Sequence, residues 1–269
     1  MENKKSIRNP LPKIAKIFKY EMLHTARILG PIYITVIALA FIASLFLSSD
    51  ASEKGFFANF TVSSATGHKL SGIFAFFYVV TFIGVGVASV SILAKRFKCT
   101  MLEDEAYLNL SLPVTIGEHL LGRILVSIVW IIAYIPTNII TFSLLFMKDS
   151  KDLSQTFSES ALKPILLALF IFVTTSLLLI VFIYMINAIA HLAKRHRNLV
   201  KFVAVILIIS INSKFFTFVS ELFFNSTVIE NDIYMFIESC YFIGIFNTIM
   251  IIIYSLVTYL ILKFRLNLE

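Results

Sequence analysis

Apolar residues in this chain do not alternate as in a strand, nor do they fall only on one stripe as in a surface helix. They come in long blocks, at 29–47, 70–94, 120–147, 165–190, 202–224 and 239–262. A bilayer core of about 30 Å is crossed by a helix of about 20 mostly apolar residues, so each block predicts a membrane span. The fifth block is interrupted by Asn212, Ser213 and Lys214, which leaves open a broken or re-entrant helix there. Ahead of the first block, Leu11, Ile14, Phe18 and Met22 stand at helical spacings while Lys16, Lys19 and Arg27 stay polar. That pattern predicts an amphipathic helix in the membrane interface, or else a plain extension of the first span. Pro31 favours a break between the two.

Composition strengthens the membrane reading. Of 269 residues, 58% are hydrophobic and 14% charged, far from the balance of a soluble domain. The polar segments between blocks are too short to build a separate core. The expected organisation is therefore an N-terminal segment at 1–28, a transmembrane domain at 29–262 and a short tail at 263–269. The first block follows a long polar and basic stretch without a small-residue cleavage site, so its helix is expected to be retained. Cys99 and Cys240 fall on opposite predicted sides of the membrane, which excludes a disulfide between them, and both read as small buried hydrophobes.

Charge supplies the orientation. Only Lys54, Lys69, Lys148, Lys151, Lys163 and Lys214 fall on one side of a six-span arrangement, which leaves 17 of the 23 basic residues on the other. By the positive-inside rule both termini are cytoplasmic and the chain is a multi-pass protein of the cell membrane. The net charge of +7 reads as this topology signal plus contact with anionic lipid headgroups, not as nucleic-acid binding.

Candidate chemistry within the spans is sparse. All 16 acidic residues lie outside the apolar blocks or at their borders, which argues against a proton relay. Lys214 is the one cation expected within a span; it either snorkels to the headgroups or, with Asn138 and Asn212, lines a substrate path. Gly84, Gly86, Ala88 and Ser89 form a small-residue stretch open to close helix approach, and Pro136 predicts a kink in the third span. His191 and His196 sit in a basic loop with no glutamate to complete a metal set. Neither a serine-nucleophile elbow nor a phosphate-cradling Gly-rich loop with its lysine occurs, so the chain is expected to be no enzyme and to hold no cofactor or metal of its own.

The segment FKCTMLEDEAYLNLSLPVTIGEH at 97–119 is the most informative. Thr100 with Glu103 reads as a capping box that starts a short helix near Met101, with Glu103, Asp104 and Glu105 in its first turn. Pro113 ends it, and Thr115 with Glu118 forms a second box opening the next long helix. The expected fold is thus all-α: a polytopic bundle of about six transmembrane helices with an interfacial N-terminal helix and a short acidic helix across the membrane face.

Phe18-Lys19-Tyr20-Glu21, then Arg96-Phe97, then Glu103 to Leu108 and Leu110-Ser111-Leu112-Pro113-Val114-Thr115 resemble bacterial ABC transporter permeases of the ABC-2 exporter type. The six-span layout matches over nearly the whole chain and the motifs over its first half; Ala106 stands where that family often has glycine. The resemblance implies that the short acidic helix is a cytoplasmic coupling helix, with Glu103, Asp104, Glu105, Tyr107 and Leu108 docking on a separate ATPase subunit. It further implies two ATPase copies that bind the ATP and Mg, a second permease chain forming a homodimer or heterodimer, and export of an amphipathic or hydrophobic substrate such as an antimicrobial peptide or drug. Two other readings are a non-transporting scaffold or sensor and, least supported by the scarce intramembrane polar residues, an intramembrane enzyme.

The topology is directly testable. Reporter fusions after Glu269 and within 50–69 should report opposite sides of the membrane, and the same side for both excludes the six-span arrangement.

Overall fold

The structure is a computed structural model, and it describes residues 11–48, 64–103, 105–110, 114–146, 159–193, 196–224 and 232–264. These residues form seven helices: α1 (Leu11–Ser48), α2 (Ser64–Met101), α3 (Ala106–Leu110), α4 (Ile116–Phe146), α5 (Glu159–His191), α6 (Arg197–Phe224) and α7 (Asp232–Phe264). All but α3 are long and apolar enough to cross a membrane, giving six candidate spans in the order the hydropathy predicts. The chain is a polytopic helical membrane protein.

The break expected at Pro31 is absent, because α1 runs unbroken with the proline inside it. The N-terminal helix is therefore continuous with the first span. Its buried face is set by Glu21, Thr25, Leu29 and Tyr33, spaced one turn apart, while Lys16, Lys19 and Arg27 stay exposed. Proline is tolerated within membrane helices. One turn on, Thr35 Oγ1 donates to the Pro31 carbonyl at 2.7 Å, a side-chain bond back to the same helix. Helix α6 is likewise unbroken across Asn212, Ser213 and Lys214. The hydroxyls of Ser210, Thr217 and Ser220 donate to carbonyls three or four residues earlier, so these polar groups are satisfied within the helix itself. Helix α4 also continues through Pro136.

The contacts divide the chain into two compact units. The second comprises 22–92 and 129–162. Inside it Tyr33 meets Ser89 at 3.1 Å and Trp130 edge-on at 5.5 Å between ring centroids. Trp130 Nε1 donates to Thr25 Oγ1 at 2.9 Å, and Tyr134 donates to the Phe82 carbonyl at 2.6 Å. Each aromatic ring thus spends its one polar group on a neighbouring helix, as burial without water requires. Of the small-residue stretch, Gly86 is the close approach, since a Cβ there would lie 3.4 Å from the Tyr134 hydroxyl, whereas one at Gly84 would meet nothing within 4 Å.

The first unit comprises 1–21, 93–128 and 163–269. Phe97 stacks on Tyr184 at 4.2 Å, and Asn247 Nδ2 donates to Thr175 Oγ1 at 2.9 Å, joining α7 to α5. Gly122 on α4 lets α1 come close: a Cβ there would lie 2.8 Å from Ile17 Cγ2 and 3.8 Å from the Phe18 backbone nitrogen.

Glycine substitutions should therefore split by position. Gly122→Val should destabilise by about 1–3 kcal/mol through overpacking against α1. Gly30→Ala and Gly84→Ala, where the added carbon meets open space, should stabilise by about 0.5–1 kcal/mol through helix propensity. Unfolding of the purified variants in detergent distinguishes the two classes, and equal effects would refute the close approach.

Candidate functional site

Helix α2 does not stop at Thr100. Leu93, Phe97 and Met101 are buried one turn apart on the same face, and that packing carries the helix through Met101. Thr100 is consequently inside the helix, where its Oγ1 donates to the Arg96 carbonyl at 2.6 Å rather than capping a new one. This corrects the first expected capping box: Glu103 and Glu105 precede α3, which begins only at Ala106 and has no acidic residue in its first turn. Asp104 lies outside the described residues, as does Pro113. The second box does form, with Thr115 N donating to Glu118 Oε2 at 2.8 Å and Glu118 N to Thr115 Oγ1 at 3.3 Å.

Without a cap of its own, the acidic turn is fastened back onto α2. The backbone N–H groups of Leu102 and Glu103 both donate to the Lys98 carbonyl, and Asn109 Nδ2 donates to the Thr100 carbonyl at 3.0 Å. These bonds satisfy carbonyls that a helix end leaves open. Lys98 then pairs with Glu103 at 2.5 Å, and Cys99 Sγ donates to the same carboxylate at 3.6 Å. The hydrogen bond from the Lys98 ammonium holds the Glu103 carboxyl below the usual carboxylate range. Leu102 and Ala106 are buried, so the turn is anchored by apolar contact as well. Tyr107 and Leu108 point the other way, 70% and 69% exposed.

The second carboxylate of the turn leads inward. Glu105 Oε2 accepts from Arg96 Nη1 at 3.0 Å, and Arg96 Nε donates to Glu21 Oε2 on α1 at 3.1 Å. The other oxygen of Glu21 accepts from Arg123 Nη2 on α4, again at 3.1 Å, and Arg123 Nη1 donates to Thr100 Oγ1. The result is one line of alternating charge, Glu105–Arg96–Glu21–Arg123, reaching from an exposed turn to residues only 8% (Glu21) and 4% (Arg123) exposed. Beyond Arg123, its own carbonyl accepts from Ser127, whose hydroxyl meets that of Tyr184 on α5 at 3.0 Å. Buried charges persist in an apolar setting only when paired and hydrogen-bonded. The two most buried members here, Glu21 and Arg123, have opposite signs and bond to each other, with Arg123 Nε alone left without a hydrogen-bond partner among the described residues.

Of the residues expected to couple to a partner, then, Glu103 and Glu105 are brought together at the end of α2, and Tyr107 and Leu108 present an exposed face beside them. The expected path residues are placed differently. Lys214 is exposed on α6. Asn212 lines an apolar cavity of about 370 Å³ with Met185, Ile208, Phe215 and Tyr254. Asn138, in the other unit, donates to the Tyr134 carbonyl of its own helix at 2.7 Å. Lys214 is also not the one cation inside a span, because Arg123 lies within the candidate span Ile116–Leu145. By charge count Arg123 is one of the 17 basic residues assigned to the cytoplasmic side, and Glu21 enters the sequence pattern only as part of Phe18-Lys19-Tyr20-Glu21. The available signal was an arginine embedded in LLGRILV, a run apolar enough to demand an acidic partner. Cys99 is half-buried and Cys240 buried, and both thiols are free.

Removing one member of the central pair should cost about 3–5 kcal/mol, since the other charge stays buried and uncompensated. Arg123→Gln or Glu21→Gln alone should thus lower stability strongly, while the double variant loses markedly less than the sum. A double-mutant cycle from unfolding in detergent measures this, and strict additivity would show that the pair does not interact.

Compared with known proteins, the chain matches no family model, no curated protein and no solved structure. Its function is to be read from these residues.

Proposed function

We propose that the chain is the permease subunit of an ATP-driven exporter of the ABC-2 type, working with a separate ATPase subunit. The observation that carries this reading is the charge line from the acidic turn to the buried Glu21–Arg123 pair. A subunit driven by a partner needs an exposed contact whose displacement is felt inside its bundle, and a short turn held only by backbone contacts would simply flex. Here the turn carrying Glu103, Glu105, Tyr107 and Leu108 is tied by Arg96 to α1 and, through Glu21, to α4. Differential binding of an ATPase to two positions of that turn would bias two arrangements of the helices.

In this reading both termini and the acidic turn face the cytoplasm, where the basic residues concentrate. Two ATPase copies supply the ATP and Mg chemistry, and a second permease chain, the same or different, completes the path. The exposed apolar faces of the spans suit an amphipathic or hydrophobic cargo that enters from the bilayer. The chain itself performs no catalysis.

The test compares loss of the whole acidic turn with loss of its inward tie alone. Replacing Glu103, Asp104 and Glu105 with lysine should abolish co-purification with the cognate ATPase, because losing a charge pair at an interface centre costs about 2–5 kcal/mol. Arg96→Gln should instead leave that complex intact but lower substrate-stimulated ATP turnover in nanodiscs. Should the triple variant assemble and turn over normally, the turn is an ordinary solvated surface and the exporter reading falls; a scaffold or sensor is then the better account.

A further inference from the structure

A second charged feature lies near the end of α2 but shares no member with the Glu21–Arg123 line. Lys98 on α2, Asn187 and His191 on α5, and Arg197, Asn198 and Lys201 on α6 surround a recess of about 60 Å³. At a share of about 30 Å³ per water, that is roughly two water volumes, the scale of one small oxyanion and far too little for a nucleotide. The charges around it do not cancel. Glu103 is the one carboxylate among the described residues that acts on Lys201, and it is already engaged by Lys98. Among the described residues no carboxylate forms an ion pair with His191, Arg197 or Lys201.

Three permanent cations and a histidine gather around one small cavity, and among the described residues Glu103 alone offsets them, so the local field stays positive and favours a further anion. The amides of Asn187 and Asn198 add neutral hydrogen-bond donors to the same wall. Arg197 is also the first residue of α6, a helix of 28 residues, so the positive end of its dipole adds to the local field. We propose that this recess is a binding site for a phosphate-type oxyanion, held by Lys98, Arg197 and Lys201 and oriented by Asn187 and Asn198.

Its position favours the phosphate of a lipid headgroup. Lys98, His191 and Arg197 each lie at or near the end of a candidate span, which is headgroup depth. Beside the recess, α6 presents exposed Leu199, Phe202 and Val203, along which acyl chains can lie. A phosphate there also competes with Glu103 for Lys98, so occupancy would loosen one of the two ion pairs that fasten the acidic turn.

The experiment uses the purified full chain in detergent, with bound lipid counted by native mass spectrometry during titration with phosphatidylglycerol, phosphatidic acid or phosphatidylcholine. The anionic lipids should be retained about ten-fold or more over phosphatidylcholine. At about five-fold per basic residue near a charged surface, Arg197→Gln with Lys201→Gln should weaken that retention about 25-fold. Lys16→Gln with Lys19→Gln, exposed cations elsewhere on the chain, should change it less than two-fold, and Lys201→Arg should retain it. Inorganic phosphate is titrated in parallel: displacement of the lipid by phosphate assigns the site to soluble phosphate, and no displacement assigns it to the headgroup, either result supporting the oxyanion site. The proposal is overturned if the wild type prefers neither anionic lipid nor phosphate, or if the two double variants lose retention equally.

Discussion

An arginine inside an apolar helix cannot be left alone. Moving a bare guanidinium out of water costs several kcal/mol even after relaxation, and arginine does not escape by giving up its proton. Arg123 stands in the first turns of α4 with leucines and isoleucine on both sides, so its presence dictates that a carboxylate be delivered to it. Glu21 is that carboxylate, and α1 must therefore place this residue, in its third turn, against α4. Much of the local arrangement follows from this one requirement. Gly122, adjacent in sequence, removes the side chain that would hold α1 away.

Glu21 has two oxygens and uses them on different helices. With Oε1 on Arg123 and Oε2 on Arg96, a single residue of α1 ties α4 to α2. Thr100 closes the loop, accepting from Arg123 while donating to the backbone of α2. Replacing such a network with apolar residues is often neutral or stabilising, so its presence is weak evidence for stability and stronger evidence that a defined arrangement matters. Phe97 stacks on Tyr184, which in turn meets Ser127, so close-packed aromatic surface lies beside the buried end of the line.

The spans were legible in the sequence because a bilayer imposes a length and a hydropathy that few residues can violate. Their continuity was less so. Pro31 and the Asn212–Ser213–Lys214 cluster look like breaks to a rule learned from helices in water, where a lost hydrogen bond is readily replaced by solvent. In an apolar medium the backbone has no such substitute, so the helix persists and hydroxyls bond to it. Thr100–Glu103 misled for a related reason. A capping box is a local pattern, and the local preference was overridden by burial of Phe97 and Met101, a tertiary fact with no nearby signature. Thr115–Glu118 faced no such competition, and the box formed.

The charged line was half visible. Glu105 and Arg96 were prominent in the sequence, but which carboxylate would meet which guanidinium depended on helices separated by 75 and 102 residues along the chain. Pairing of that kind is set by helix packing, not by spacing. Once in place it changes what the acidic turn is. A turn held by caps would be a self-contained helix, able to shift without consequence for its neighbours. Held instead by Lys98 on one carboxylate and Arg96 on another, it can move only by stretching pairs whose far members are built into α2 and α1. The failure of the expected cap and the existence of the inward connection are thus one fact: the carboxylates that would have stabilised a separate helix are spent on fastening the turn to the bundle.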